Sequence, residues 1–528
     1  MRSVPRRRLL AGLLLTPVLT GCFASGGETA GQGSADGSRL RVALAFPPAE
    51  NLSPYGADAT LLSRLGVTEG LTKLDANGAA APALAESWTR EDDRTWLFTL
   101  REAAFQDGTD VTPAAVAAAL THATEAKPVP AALSGVTLKA AAATKATKST
   151  RAAGADGDQV RVTTEEPDPA LPLRLSSPGL AILSPKAYGK GDGGSEHGSG
   201  DTDGSSGKGT RPDPLGTATG PFELTKVSGA TAATLDRFDD YWGGRAQASG
   251  IDARFISDGT ARTNALRTRQ VDIAEAVPVS QAATLDEGTR HETATTRTTS
   301  LLLNTDKGAF KDPALRAAAR EAVDTSVFAE DVYEGYADPG AGVFGPAVTW
   351  AADKRVKPTG RPKAADPDGA SVTVATYNNR PELPEVAQVL GQQLERAGFK
   401  VKLEVREYSR LESDALAGRF DAFVGARNSL LDTGDPVSVL ASDYSCHGAY
   451  NLALLCDKKV DKAVSEAEGL ADNAERQQAA MDAEAALLGT DAVVPLVHQR
   501  IITGVGTSVQ GVIFDPYERT LVGTGTRR

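Results

Sequence analysis

The residues best equipped for chemistry in this 528-residue chain lie late in it, in residues 426–456, ARNSLLDTGDPVSVLASDYSCHGAYNLALLC. The stretch carries the carboxylate of Asp432, the turn Gly434-Asp435-Pro436, and the cysteines Cys446 and Cys456 with Gly448 between them. Upstream, Arg380 in Tyr377-Asn378-Asn379-Arg380 sits just past a strand end, where a guanidinium can take a carboxylate bidentately or simply be solvated. These groups form ion pairs and hydrogen bonds; they do not make up a bond-breaking constellation.

Other chemistries fail on spacing. No GxSxG, HExxH or CxxC occurs, and the histidines His122, His197, His291, His447 and His498 are scattered. Asp201 and Asp203 superficially suggest a calcium loop, but Pro212 stands where the bidentate Glu belongs. Gly207-Lys208 lacks the earlier glycine and the following hydroxyl of a phosphate loop. No cofactor and no metal are therefore expected. With 56 Lys plus Arg against 68 Asp plus Glu, the formal charge of -12 makes nucleic acid an unsuitable partner.

The chain opens with an address. Arg2, Arg6, Arg7 and Arg8 precede the apolar run Leu9–Leu15, too short to span a bilayer, and Leu19-Thr20-Gly21-Cys22 ends it with small residues. Leu-Thr-Gly-Cys resembles a bacterial lipobox, which implies cleavage after residue 21 and a lipid on the Cys22 sulfur. Arg6-Arg7-Arg8-Leu9-Leu10 also fits a twin-arginine signal, and both export routes stay open. Residues 22–38, rich in Gly and Ser, read as a flexible tether. Export leaves Cys446 and Cys456 as an even pair that should close in an oxidising compartment.

The elements that position the chemical groups follow from periodicity and turn chemistry. Hydrophobic residues at 41% and charged ones at 23% are an ordinary globular balance, and the length calls for two or three lobes. Asn77-Gly78 is a turn between short apolar runs, Trp96–Leu100 and Gln159–Thr163 are strand candidates, and Thr112-Pro113 opens an alanine-rich helix through Val116 and Leu120. Residues 189–211 hold almost no side chain able to enter a core and read as a surface insertion. Leu301-Leu302-Leu303 is a buried-strand candidate ending at Asn304-Thr305, and Asp312-Pro313 caps a helix. From Ser371 the pattern is clean. A strand at Val372–Ala375 leads to a helix with Val386, Leu390 and Leu394 on one face, stopped at Gly398; Val401, Leu403 and Val405 then alternate. A second helix and a strand over Phe420–Gly425 repeat the unit, which implies a largely parallel sheet. Val460–Leu488 reads as helical.

Several of these pieces, taken in order, resemble the extracellular solute-binding proteins that serve ABC importers of peptides and nickel. The matching residues are Asn51-Leu52-Ser53-Pro54, Glu69-Gly70-Leu71, Pro82–Trp88, Phe98–Arg101, Phe105–Thr109, Leu215–Phe222, Tyr241–Gly244, Ala265–Ile273 and Val493–Val497. The resemblance implies an α/β, two-lobed periplasmic-binding-protein-like fold with an extra small domain. Its expected parts are a leader over 1–21, lobe I from 39–77, 212–300 and 495–528, the small domain over 78–211, and lobe II over 301–494. It further implies a monomeric, lipid-anchored protein on the extracytoplasmic face of the cell membrane. Such a protein is not an enzyme; it captures a solute by hinge closure and presents it to a permease.

Ligands of such sheets lie beyond the carboxyl ends of strands, which points to the stretch after Phe420–Gly425. Dipeptide-binding members have there a Trp, then an acid, then Gly-Asp-Pro, then a disulfide loop; Asp432, Gly434-Asp435-Pro436, Cys446 and Cys456 fit in register. Asp432 is expected to receive a peptide's amino terminus, Arg380 its carboxylate, and Asn428, Ser429 and Asn304 to complete the ligand contacts. The Trp is replaced at or near Ser429, so the aromatic wall and the identity of the solute are left open. A nickel chelate or an oligosaccharide is the alternative solute, and a secreted hydrolase the alternative class. His447 is the one histidine in the segment that could meet a metal.

Overall fold

The computed structural model describes residues 38–127, 129–133, 136–142, 158–189 and 211–528. The leader, Cys22, almost all of the tether and nearly the whole 189–211 insertion lie outside the described residues. β1 (Leu40–Leu44) is an apolar run buried almost throughout, the pattern of a strand covered on both faces. β2 (Thr72–Leu74) and β3 (Ala80–Pro82) form the hairpin expected at Asn77-Gly78, with Gly78 at φ 77°. β4 (Ala85–Arg90), β5 (Thr95–Leu100), β6 (Leu138–Ala142) and β7 (Gln159–Thr164) pair antiparallel in the order β4-β5-β7-β6. The helix Pro113–Glu125 covers that sheet. Thr112 Oγ1 accepts from the Ala115 N–H at 3.2 Å, and Val116 and Leu120 join Phe98, Val160 and Val162 in a separate apolar cluster.

The remaining strands are β8 (Phe222–Ser228), β9 (Ala232–Arg237), β10 (Gly250–Phe255), β11 (Ile273–Ala274), β12 (Arg290–Leu303), β13 (Ala337–Pro339), β14 (Ser371–Tyr377), β15 (Lys400–Arg406), β16 (Ala422–Asn428) and β17 (Val493–Val505). With β1 they make one eleven-stranded sheet in the order β15-β14-β16-β12-β17-β11-β1-β10-β9-β8, β13 adding to β17. Its two halves have separate cores, one around Leu40, Phe222 and Ile251, the other around Leu303, Val374 and Val424. β17 contributes to both cores, as do β1 and β11, whose Ala43 and Ala274 join the second; β12 lies beside β17. β12 and β17 pair antiparallel with register shifts between Ala294 and Thr298 and between Thr299 and Ser300. Pro495, which has no N–H to give the ladder, lies at the second shift.

Three expectations need correction. The strand expected over Phe420–Gly425 is β16, which starts at Ala422 and continues to Asn428. Gly425 does not end it but pairs with Ser300 inside the ladder, where a side chain would meet the Phe423 ring 2.6 Å away. β12 starts at Arg290, eleven residues before Leu301, because threonines, which are β-branched, carry it without an apolar signal. The helix expected over Val460–Leu488 is two, Lys458–Glu468 and Asn473–Gly489, because Asp472 caps a new one by accepting from the Ala474 and Glu475 amides.

The motif residues hold the small sheet to the main one. Gln106 Nε2 donates to the Gly220 and Phe222 carbonyls at 3.0 Å, joining the Phe105–Thr109 turn to the Leu215–Phe222 segment. Glu69 accepts from Tyr241 at 2.8 Å and from the Trp242 indole at 3.0 Å, and the Arg101 guanidinium lies 3.7 Å over the Trp242 ring. Tyr241 and Trp242 thus pack and bond within the structure.

Candidate ligand site at the strand ends

β14 runs parallel to β15 and β16, so Tyr377, Arg406 and Asn428 end on one edge of their half of the sheet. The loops leaving that edge carry Arg380, Tyr408 and Asp432. Gly434, at φ 69°, brings the Asp432 loop against the β2–β3 hairpin, where a Cβ would lie 2.6 Å from Leu74 Cδ2. Asp435 then caps the helix Pro436–Tyr444 by accepting from the Val437 and Ser438 amides. It does more than a turn acid would. Fully buried, it also takes two bonds from Arg476, at 2.9 and 2.6 Å.

Asp432 is half-buried and already partnered: its Oδ2 accepts from Arg427 Nη2 at 3.1 Å. Arg427 also donates through Nε to buried Asp443 at 2.8 Å and lies 4.9 Å from the centre of the Tyr450 ring. Burial alone would disfavour its charge, but Asp443 and Asp432 outweigh that and hold the guanidinium firmly protonated. The Tyr450 hydroxyl meets that of Tyr408, which donates to Glu412 at 2.7 Å. Burial pushes the pKa of both phenols up, so they stay neutral hydrogen-bonding groups. Tyr377 packs edge-on to Tyr408 at 5.0 Å, so three phenol rings gather beside Arg427 and Asp432. Sequence reading missed them because Tyr408 and Tyr450 lie in loops without periodicity.

Arg380 differs. Among the described residues its guanidinium has no hydrogen-bond or ion-pair partner; its Cζ lies 5.6 Å from the centre of the Phe46 ring, at the end of β1 in the other half of the sheet. Burial and then the nearby charge of Arg297 lower its pKa.

Behind these loops the halves are tied by residues 515–519. Glu518, at φ 59°, accepts from Arg297 at 3.0 and 2.9 Å, from Arg64 at 3.3 Å and from Asn428 at 3.0 Å. Burial would raise its pKa, but Arg297 and Arg64 outweigh burial and hold it at about 2. Arg519 donates to the carbonyls of Leu430 at 3.0 Å, Leu431 at 2.9 Å and Ser176 at 3.1 Å, and burial lowers its pKa to about 10.

The remaining expected contacts are placed as follows. Asn428 is buried, its amide donating to Tyr517 O and Glu518 while its oxygen accepts from Thr296 and Leu430. The Ser429 hydroxyl donates to Thr296 O at 3.0 Å. Both are buried at the end of β16 and bond Thr296 of β12 instead of facing open space. Asn304 lies at the opposite end of the β12–β16 ladder, donating to Gly418 and Phe420 carbonyls and accepting from the Asp306 and Lys307 amides. It does not join Asp432 and Arg380. The Cys446 and Cys456 sulfurs lie at bonding distance, 2.05 Å. His447 is exposed beside them.

Residues 79–451 match the family model described as bacterial extracellular solute-binding proteins, family 5, middle. The chain belongs to that family. As a family 5 solute-binding protein it binds a solute for transport and is not an enzyme. It is 26% identical to the glutathione-binding protein GsiB of Escherichia coli O1:K1, over 97% of this chain and 96% of the relative. Solved structures of the same fold include NikA from Staphylococcus aureus in complex with Ni(L-His)2, with TM-score 0.73, 20% identity and coverage of 93% and 100% of the two chains. DppA from Helicobacter pylori in complex with the peptide STSA aligns with TM-score 0.71, 18% identity and coverage of 93% and 98%. The two-lobed α/β architecture implied by the motifs is therefore the fold of this protein. Among the described residues no helix is long and apolar enough to cross a membrane.

Proposed function

We propose that this family 5 protein captures a short peptide, or a peptide conjugate of glutathione's kind, between its two halves and delivers it to the permease of an ABC importer. The observation that carries the reading is Arg380, a half-buried guanidinium that has no polar side-chain partner among the described residues and lies on the same strand-end edge as Asp432. A ligand carboxylate supplies the partner Arg380 lacks. The ligand's α-ammonium meets Asp432, whose Oδ1 stays available while Oδ2 holds Arg427. Tyr408 and Tyr450 replace the Trp wall. The GsiB relatives support a ligand of this chemistry, and the shift-bearing β12–β17 crossing suits hinge closure. The protein works as a monomer held to the membrane by lipid on Cys22; fatty-acid labelling lost in Cys22→Ala tests the anchor.

A thermal-shift series with tripeptides, glutathione, Ni(L-His)2 and maltotriose tests the solute. A peptide at a hundred times its dissociation constant stabilises by about 2.7 kcal/mol, a clear rise in melting temperature. A rise with Ni(L-His)2 alone would move the assignment to nickel chelates.

A further inference from the structure

Phe46 is one of the few large apolar side chains left exposed, at 36%. It follows β1 directly, on the half of the sheet opposite to Arg380, and yet its ring centre stands 5.6 Å from the Arg380 guanidinium carbon. At that exposure about a third of the residue's surface stays in water, so its burial is incomplete. Its place across the strand-end edge calls for another explanation.

We propose that Phe46 is a specificity-determining residue: its ring caps Arg380 from the facing lobe and makes that arginine select a carboxylate over an uncharged carboxamide. The proposal rests on the reading of Arg380 as the carboxylate receiver. A ring face attracts a guanidinium through its quadrupole without neutralising the charge or occupying its N–H donors, which lie in the guanidinium plane. A protein carboxylate in the same place would do the opposite, using the donors and cancelling the charge. The ring also keeps water off one face of Arg380, so the Coulomb attraction of a bound anion is less screened. Of the charged neighbours Arg297 acts most strongly on Arg380, and the acids Glu518 and Glu382 act in the opposite sense and more weakly. The negative charge of Glu518 is engaged by Arg297 and Arg64, and the remaining charge felt from Arg297 is positive. Glu382, at the start of the next helix, is the other nearby acid, and it forms no ion pair with Arg380. A ligand with a terminal carboxylate completes this arrangement, and its amide leaves a charged guanidinium half-desolvated with no counter-charge.

The test is titration calorimetry of the full mature protein with trialanine and glutathione, each against its C-terminal carboxamide. The variants are Phe46→Leu, which keeps bulk and loses the quadrupole, Phe46→Trp, which strengthens it, and Arg380→Gln. The expected result is wild-type preference for both acids, a loss of about three- to tenfold toward the acids alone in Phe46→Leu, and wild-type or better affinity in Phe46→Trp. Arg380→Gln should abolish the acid preference. If Phe46→Leu and Phe46→Trp both match the wild type while Arg380→Gln loses the preference, the role of Phe46 is overturned and that of Arg380 stands. If Arg380→Gln binds like the wild type, or the wild type binds neither acid more tightly than its amide, both fall.

Discussion

Replacing Glu518 with Gln tests whether the two halves are tied through one carboxylate. Glu518 is buried and accepts from Arg297, Arg64 and Asn428. Its carboxyl titrates at about 2, against 4.5 for an ordinary glutamate. That gap corresponds to roughly 3 kcal/mol of folding stability at neutral pH, at 1.36 kcal/mol per unit. The sign follows from a depressed pKa: the contribution is complete above pH 4.5 and is lost as pH falls toward 2. Gln keeps the shape but turns an NH2 toward two guanidinium groups, leaving Arg297 without its counter-charge and Arg64 with Glu275 alone, so a loss of about 3 kcal/mol or more is expected. Urea unfolding of wild type and Glu518→Gln, followed by tryptophan fluorescence from pH 7 down to pH 2.5, measures it. The stability gap should be widest at pH 7 and close by about 3 kcal/mol on acidification, because protonated glutamate also carries no charge. Equal stability at pH 7, or a gap that does not change with pH, would refute the reasoning.

Further outcomes follow from the same geometry. His498 is buried, its Nε2 accepting from the Ala341 N–H at 3.1 Å and its Nδ1 bonding Thr298 at 2.9 Å, and burial lowers its pKa to about 4. Because the unfolded chain takes up a proton that the folded protein refuses, stability should fall by about 3 kcal/mol between pH 6.5 and 4, and His498→Gln should flatten that slope. Thiol titration of unfolded, unreduced mature protein should find no free thiol, and the Cys446→Ser/Cys456→Ser double variant should lose about 2 to 3 kcal/mol. Asp435→Asn breaks a fully buried pair with Arg476 and should unfold about 3 to 5 kcal/mol more easily, whatever ligand is present. Asp432→Asn should leave folding intact and weaken a free peptide about tenfold or more relative to its N-acetylated form in calorimetry; equal effects on both forms would remove Asp432 from the site.

The sequence by itself determined the family and the element types. It did so where local physics speaks: the Thr112-Pro113 and Asp312-Pro313 helix starts, the Asn77-Gly78 hairpin, the clean alternation of β15, and a chain of motifs whose residues bond one another in the structure. It also placed Asp432 and Arg380 on one edge, because parallel strands end together and loops past those ends share an edge. Only the tertiary structure decided the partners. Arg427 precedes Asp432 by five positions, and nothing in that spacing says that it would take the carboxylate while stacking on Tyr450 from the cysteine loop. Glu518 and Arg519 look like ordinary tail charges, and only long-range packing makes one the hub of Arg64, Arg297 and Asn428 and the other a clamp on Leu430, Leu431 and Ser176. Asn304 shows the converse: a polar residue at a strand end looks like a ligand contact, but strand polarity put it at the far end of the ladder. Periodicity and turn chemistry are properties of neighbours along the chain. Ion pairing depends on distance in space, and Glu518 takes its two arginine partners from 221 and 454 positions away.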